Sequence, residues 1–359
     1  MTCALHPAQA QVTRFERYAM EHNMQIPNQT TRRTLLRGAV LGGTGIAAAS
    51  LLAPASASAA HAGGGGFVFP GVDVVIDTAH ATTEVAALVR RYLASKSAHD
   101  LDGWMSFFSR RQITYVDAVA DLAWYSWDAL RDALSQFVPN WPSDGKSYPT
   151  RILGDATGAI VFFTNTEGLF GPSEIRAAGV IDFRNHKITR QVDYWDGRHF
   201  GIANKVALAP FSTGPVTDFG ESTVGETAAP AMKNVVYKLA QALRNGDGAS
   251  AAELFAPGAV FEDMPAHLQI VGPRSIGTYL TQAAALLPYA GGGTAVRHVV
   301  GSAVGGGYEW TASNNAAPRG IVALELDRWR KITRLTALWD GSLMDDSTLI
   351  SLARTSVER

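Results

Sequence analysis

The residues best suited to chemistry lie in a decapeptide that this chain writes twice. Residues 188–197 read ITRQVDYWDG and residues 332–341 read ITRLTALWDG. Alternate side chains of an extended strand share a face, so Thr189, Gln191, Asp193 and Trp195 stand opposite Ile188, Arg190, Val192 and Tyr194. The second copy has Leu335 and Ala337 at the places of Gln191 and Asp193. One copy thus sets an amide and a carboxylate where the other sets hydrocarbon. A carboxylate on an apolar face suits acid–base work, because burial moves its pKa toward neutrality. The competing readings are a carboxylate that caps a turn or pairs with Arg190 or Arg198. Asp196 and Asp340 persist in both copies with the following glycine, which marks an Asp-Gly turn at the strand end. Trp195 and Trp339 persist as well, either for the fold or as a pocket wall.

Positioning such a face requires two copies of a larger unit. Residues 82–109 carry apolar residues at helical spacing (Val85, Leu88, Val89, Tyr92, Leu93), with Thr82 or Thr83 as N-cap. ITYVD (113–117) follows as a strand, and Ser126 opens a second amphipathic helix to Val138. Four more strands follow, separated by Gly, Asp and Asn, and the last of them carries the decapeptide. The second half repeats this order, with AVFED (259–263) aligned on ITYVD and Asp121 opposite His267. Helices grouped on one side of a curved meander give an α+β class. We expect two tandem cone-shaped units, each a mainly antiparallel sheet wrapped around helices, at 82–210 and 231–355. Linkers are expected at 60–81, which contains HAGGGG, and at 211–230, rich in Gly, Thr, Ser and Pro.

Residues 1–59 read as an export signal rather than fold. TRRTLLR (31–37) precedes a glycine-rich apolar run and a PASASAA stretch with A-x-A cleavage options after Ala57 or Ala59. The pair Arg32-Arg33 resembles the twin-arginine signal, so secretion by that pathway is expected. The apolar run is shorter than the ~20 residues that span a bilayer, so no stable span should remain after processing. Cleavage removes Cys3, the one cysteine, and leaves packing alone to hold the secreted chain. A net charge of −1 without a basic cluster in the body excludes an electrostatic nucleic-acid surface. No phosphate loop, nucleophile elbow or dinucleotide fingerprint is written here, and DMPAH (263–267) and RH (297–298) lack metal-ligand spacing. No cofactor and no metal is expected.

The first helix ending in F-F or L-F, the VFED strand, the GPRSI helix start and the ITRxxDYWD ending together resemble the nuclear transport factor 2-like superfamily, and within it the SnoaL-like branch. That group includes polyketide cyclases, ketosteroid isomerases, limonene-type epoxide hydrolases and scytalone-type dehydratases. The resemblance implies a pocket carboxylate at Asp193 and places Asp117 and Asp263 near the general base of isomerase-like members. It also implies an oxyanion donor at Tyr92 on the first helix. Asp117 and Asp193 could then divide into acid and base. Trp195, Gln191, Trp124, Trp127 and Thr164 would line the substrate. Simpler roles compete: a strand-end position for Asp117, and plain core for Tyr92 and the tryptophans. The Asp–Arg–Asp group of epoxide-hydrolase-like members is missing; the inner strand reads FFTNTEG (162–168), and only Arg176 on a neighbouring strand offers a substitute.

The expected protein is an exported, cofactor-independent enzyme that isomerises, dehydrates or cyclises an apolar small molecule in unit one. Unit two would be a degenerate copy whose sheet packs intramolecularly on the first. The rival is a non-catalytic binding protein for a hydrophobic small molecule, and a third reading is a structural module.

Overall fold

The computed structural model describes residues 66–201, 203–204, 227–313 and 315–356. The export signal, the first part of the expected 60–81 linker and most of the 211–230 linker lie outside them. Among the described residues no helix is long and apolar enough to cross a membrane.

Unit one begins earlier than its sequence suggests. Strands β1 (Phe67–Val68) and β2 (Val75–Ala81) precede helix α1 (Thr83–Ser97). β2 pairs in parallel with β5 (Ser147–Gly154), so the second half of the expected 60–81 linker is sheet. The composition of HAGGGG hid this, because the pairing partner lies some seventy residues away in the chain. The Thr82 side chain caps α1 by accepting from the Val85 amide. The expected single helix to Ser109 breaks at His99, whose φ is +57°, and restarts as α2 (Leu101–Met105) under an Asp100 cap. Strands β3 (Thr114–Asp117) and β4 (Leu122–Trp124) and helix α3 (Trp127–Phe137), capped by Ser126, follow. Strands β6 (Gly158–Asn165), β7 (Ile175–Arg184) and β8 (Lys187–Trp195) complete an eight-stranded sheet in the order β1-β2-β5-β6-β7-β8-β3-β4.

Unit two repeats the plan without the two leading strands. Helices α4 (Pro230–Arg244) and α5 (Gly248–Ala252) lead into strands β9 (Phe255–Asp263) and β10 (Leu268–Val271). Helix α6 (Pro273–Gln282) and strands β11 (Thr294–Gly301), β12 (Gly305–Ala312), β13 (Arg319–Leu326) and β14 (Ile332–Trp339) follow, and α7 (Asp346–Thr355) ends the chain's described part. The sheet order is β10-β9-β14-β13-β12-β11. The architecture is α+β with two tandem units, and in each the last strand pairs in parallel with the strand that ends in Asp117 or Asp263.

Each sheet buries both faces. One face closes over its own helices; the other meets the sheet of the other unit through Val116, Phe162, Val180 and Val192 of unit one and Val300, Ile321 and Leu338 of unit two. Alternation along β8 splits its residues as expected, except that a bulge at Thr189 turns Ile188 back into the interior.

Polar pairs cross this seam with an approximate two-fold relation. Arg151 is the fifth residue of β5 and His298 the fifth of β11. Arg151 Nη1 meets Glu325 Oε1 at 2.9 Å, and Nη2 donates to Thr336 Oγ1 at 2.9 Å. The mate is His298 Nε2 on Asp182, 2.9 Å from either oxygen. Asp182 and Glu325 are equivalent, each lying opposite the arginine of the last strand. A further pair has no mate: Glu309, fully buried, takes Arg190 at 2.6 Å and the Tyr194 hydroxyl at 2.6 Å. Burial alone would raise its pKa, but Arg190 outweighs that and holds the carboxyl at about 2. In unit one Phe162 occupies the equivalent place, under the Arg151 guanidinium at 4.0 Å.

A second device is common to both units. Asp263 Oδ1 accepts from the Ala266 amide at 3.0 Å and from the Trp339 indole at 3.2 Å; Asp117 Oδ1 accepts from the Ala120 amide at 2.8 Å and from the Trp195 indole at 3.0 Å. This clamp ties a strand end to the last strand and explains why both tryptophans persist. Burial raises each carboxyl to about 6, with the hydrogen bonds opposing it.

Two outcomes follow from these contacts. Glu325→Leu removes the carboxylate that pairs directly with buried Arg151 and should cost about 3–5 kcal/mol in denaturant unfolding, while Arg151→Met/Glu325→Leu recovers most of that loss. Asp263 has a folded pKa near 6 against the ordinary 3.8, so the fold binds its proton more tightly than the unfolded chain. Its contribution is therefore full below about pH 4 and lost as pH rises through 6. Asp263→Asn should flatten the stability profile between pH 4 and 6 by about 2–3 kcal/mol, read from unfolding midpoints across that range.

Candidate functional site

Inside the cone of unit one a connected polar set surrounds Asp193. Its carboxylate is 4% exposed and points inward from β8. The Tyr115 hydroxyl donates to Oδ2 at 2.8 Å, and the Gln191 amide donates to Oδ1 at 2.9 Å and Oδ2 at 3.1 Å. The Tyr92 hydroxyl of α1 donates to Gln191 Oε1 at 3.0 Å, so Tyr92 reaches Asp193 through the amide. Gly179 lies opposite Asp193 on β7, and a Cβ there would come within 2.7 Å of Oδ1; only glycine leaves the carboxylate room. Burial raises the Asp193 pKa, against the Gln191 hydrogen bond, the Lys96 charge and the Tyr115 hydroxyl. Neither alternative partner is used: Arg190 pairs with Glu309 and Arg198 with Asp196.

Lys96, one turn beyond Tyr92 on α1, is the cation of this interior. Its Nζ donates to Asn165 Oδ1 at 3.2 Å and lies about 5 Å from the ring centres of Trp104, Phe163 and Phe170. Burial lowers its pKa to about 8, and the charges of Asp193 and Asp117 oppose that shift. Asn165 also accepts from Ser147.

The remaining expected residues divide. Asp117 lies beside Asp193 in the parallel β3–β8 register and faces the same way, but its oxygens are committed to the clamp that unit two shares. Trp195 is the donor of that clamp, with its ring against Phe200. Trp124 packs on Tyr115 at 5.9 Å and so forms part of the wall. Trp127 does not reach the set: its indole donates to the Met105 carbonyl and Arg110 stacks on its ring at 3.9 Å. Thr164 is a correction. It shares a face of β6 with Ile160 and Phe162, which meet unit two, whereas Phe163 and Asn165 point into the cone. Arg176 is exposed and pairs with Glu174, so it replaces no interior arginine. Lys96, Tyr115 and Asn165 were not among the expected residues. The signal for Lys96 is a lysine on the buried stripe of the first helix, and for Tyr115 its alternation with Asp117.

Unit two supplies an internal control. Position by position, Tyr92 becomes Leu239, Lys96 becomes Leu243, Tyr115 becomes Phe261 and Asn165 becomes Ala312. Gln191 and Asp193 become Leu335 and Ala337, and Gly179 becomes Val322. Every member of the polar set is hydrocarbon in the copy, while the Asp–Trp clamp is retained.

Unit two has a groove of about 530 Å³ between α4 and strands β11 and β12, lined by Tyr237, Gln241, Arg244, Tyr289, Tyr308 and Trp310 among others. The buried Tyr308 hydroxyl and Trp310 indole on its floor have no hydrogen-bond partner among the described residues. Elsewhere, Asp196, His199 and His267 bring one ligand atom each to within 4.8 Å of one another.

No known protein family and no curated protein matches this chain. Among solved structures it is similar to an NTF2-like protein of unknown function from Cytophaga hutchinsonii, at 11% identity and a TM-score of 0.27 over 33% of this chain and 96% of that one. It is similar to a protein with a ketosteroid isomerase-like fold from Catenulispora acidiphila, in complex with trimethylamine, at 13% identity and a TM-score of 0.28 over 34% and 93%. A SnoaL-like polyketide cyclase homologue from Shewanella putrefaciens is similar at 16% identity and a TM-score of 0.28 over 34% and 85%.

Proposed function

We propose that unit one is a cofactor-independent acid–base enzyme acting on an apolar small molecule, and that unit two is a copy without that chemistry. The observation that carries this reading is the complete replacement of the polar set by hydrocarbon in a unit of the same fold. Burying a carboxylate, an ammonium and two amides is unfavourable for stability compared with well-packed hydrocarbon. A set that the fold does not require is kept for another purpose.

The geometry supports proton transfer at carbon. Asp193, with its pKa raised toward neutrality, is a base whose proton affinity suits abstraction of a proton beside a carbonyl. Tyr115 and Gln191 fix the carboxylate. Lys96 and Tyr92 stand ready to stabilise the enolate oxygen that forms, Lys96 as a largely protonated donor at pH 7. The proton then returns to a different carbon, which gives isomerisation, or leaves with a hydroxyl, which gives dehydration. Asp117 acts through position, because its lone pairs already serve the clamp.

The groove in unit two favours a second reading, non-catalytic capture of a hydrophobic ligand. A panel of β,γ-unsaturated cyclic ketones, followed by absorbance of the conjugated product, separates the two. On the enzyme reading the native chain converts a member of the panel, and Asp193→Asn lowers kcat about 10²–10⁴-fold with unchanged circular dichroism. Lys96→Met should lower kcat and remove the alkaline limb near pH 8. Binding of a panel member without turnover, or full activity of Asp193→Asn, contradicts it.

We infer that the protein is exported through the twin-arginine pathway. Arg32-Arg33 and the cysteine-free body support this, since a chain that needs no disulfide can fold before transport. Expression with its own leader should give a product in the medium that begins after Ala57 or Ala59 by mass spectrometry, and Arg32→Lys/Arg33→Lys should hold it inside the cell.

A further inference from the structure

The chain contains nine histidines, and two from different units meet at one end of the seam. His199 lies in the turn that follows β8, and His267 sits in the β9–β10 turn of unit two. Their ring centres are 6.3 Å apart. We propose that Asp196, His199 and His267 form a transition-metal site, best suited to Zn²⁺, that staples the two units together.

Two imidazoles and a carboxylate are a borderline donor set, matched to zinc with water in the fourth position. Tetrahedral ligand atoms about 2.0–2.1 Å from the metal stand roughly 3.3 Å from one another. The three groups already lie within 4.8 Å, and both histidines are exposed, so rotation of their side chains closes the set. Asp196 is oriented before any metal arrives. Arg198 holds its carboxylate through Nε and Nη2 and also donates to the Pro265 carbonyl, two residues before His267. That guanidinium opposes a cation, but the charges of Asp263 and Asp346 act on it as well, and Asp340 lies against the Asp196–Gly197 turn. The carboxylates outnumber the guanidinium here.

The duplication again acts as a control. His267 and Asp121 are equivalent and share a left-handed backbone, with φ of +55° and +54°. The residues that match Asp196, His199 and His267 in the other unit's copy of this arrangement are Asp340, Leu343 and Asp121, which offer no imidazole. The fold therefore does not dictate the histidines.

Metal-stripped full-length processed protein titrated with ZnCl₂ in a calorimeter should bind one equivalent, and Zn²⁺ should raise the melting temperature. Co²⁺ should give the visible absorption of a tetrahedral histidine site. His199→Ala and His267→Ala should each weaken binding by roughly a hundredfold or more, although they lie in different units. His186→Ala, in an exposed pair with Glu84, should bind as the native chain does. Absence of saturable binding, or stoichiometric binding that survives His199→Ala/His267→Ala, overturns the proposal. Neither result depends on the acid–base site.

Discussion

Back-to-back packing of two sheets is the constraint from which the rest of this structure follows. Because both faces of each sheet are buried, every residue of a central strand must satisfy either a cone interior or the seam. Polar residues are admitted only with partners. On β8 the consequence is a strict division: Gln191, Asp193 and Trp195 are answered inside unit one, while Arg190 and Tyr194 are answered by Glu309 across the seam. The Arg151–Glu325 and Asp182–His298 pairs obey the same rule and fix how the two units register.

The same constraint gives the duplication its value. Two units of one fold, held in one chain, face the same packing problem, so differences between them separate what folding requires from what it does not. The Asp–Trp clamp, the aspartate that caps the short second helix (Asp100 and Asp247) and the Asp-Gly turns are common to both. The Tyr92–Gln191–Asp193–Tyr115 chain and Lys96 belong to unit one alone, and the paired histidines to one end of the seam. Residues that both units share for folding are thereby separated from those that unit one alone carries.

Much of this was legible in the sequence. The repeated decapeptide revealed the duplication, period-two alternation placed Asp193 and Gln191 inside, and Thr82 and Ser126 marked the helix starts they cap. What escaped was information carried by distant partners. β2 finds its partner in β5, far along the chain, so a glycine-rich approach looked like a linker. Thr164 was assigned by its type although its parity with Phe162 turns it away from Asp193. Lys96 looked like an ordinary helical lysine until the buried stripe around it was closed by Trp104 and Phe170. Glu309 and His298 are polar residues of unit two whose partners, Arg190 and Asp182, belong to unit one.

The central claim is that the polar interior of unit one serves chemistry and not folding. The most direct measurement gives unit one the interior of its copy: Tyr92→Leu, Lys96→Leu, Tyr115→Phe, Asn165→Ala, Gln191→Leu and Asp193→Ala, with Gly179→Val to fill the space. Denaturant unfolding and circular dichroism of this variant should show a native fold at least as stable as the parent. A chain that fails to fold, or loses several kcal/mol, would show that the network is structural and contradict the account.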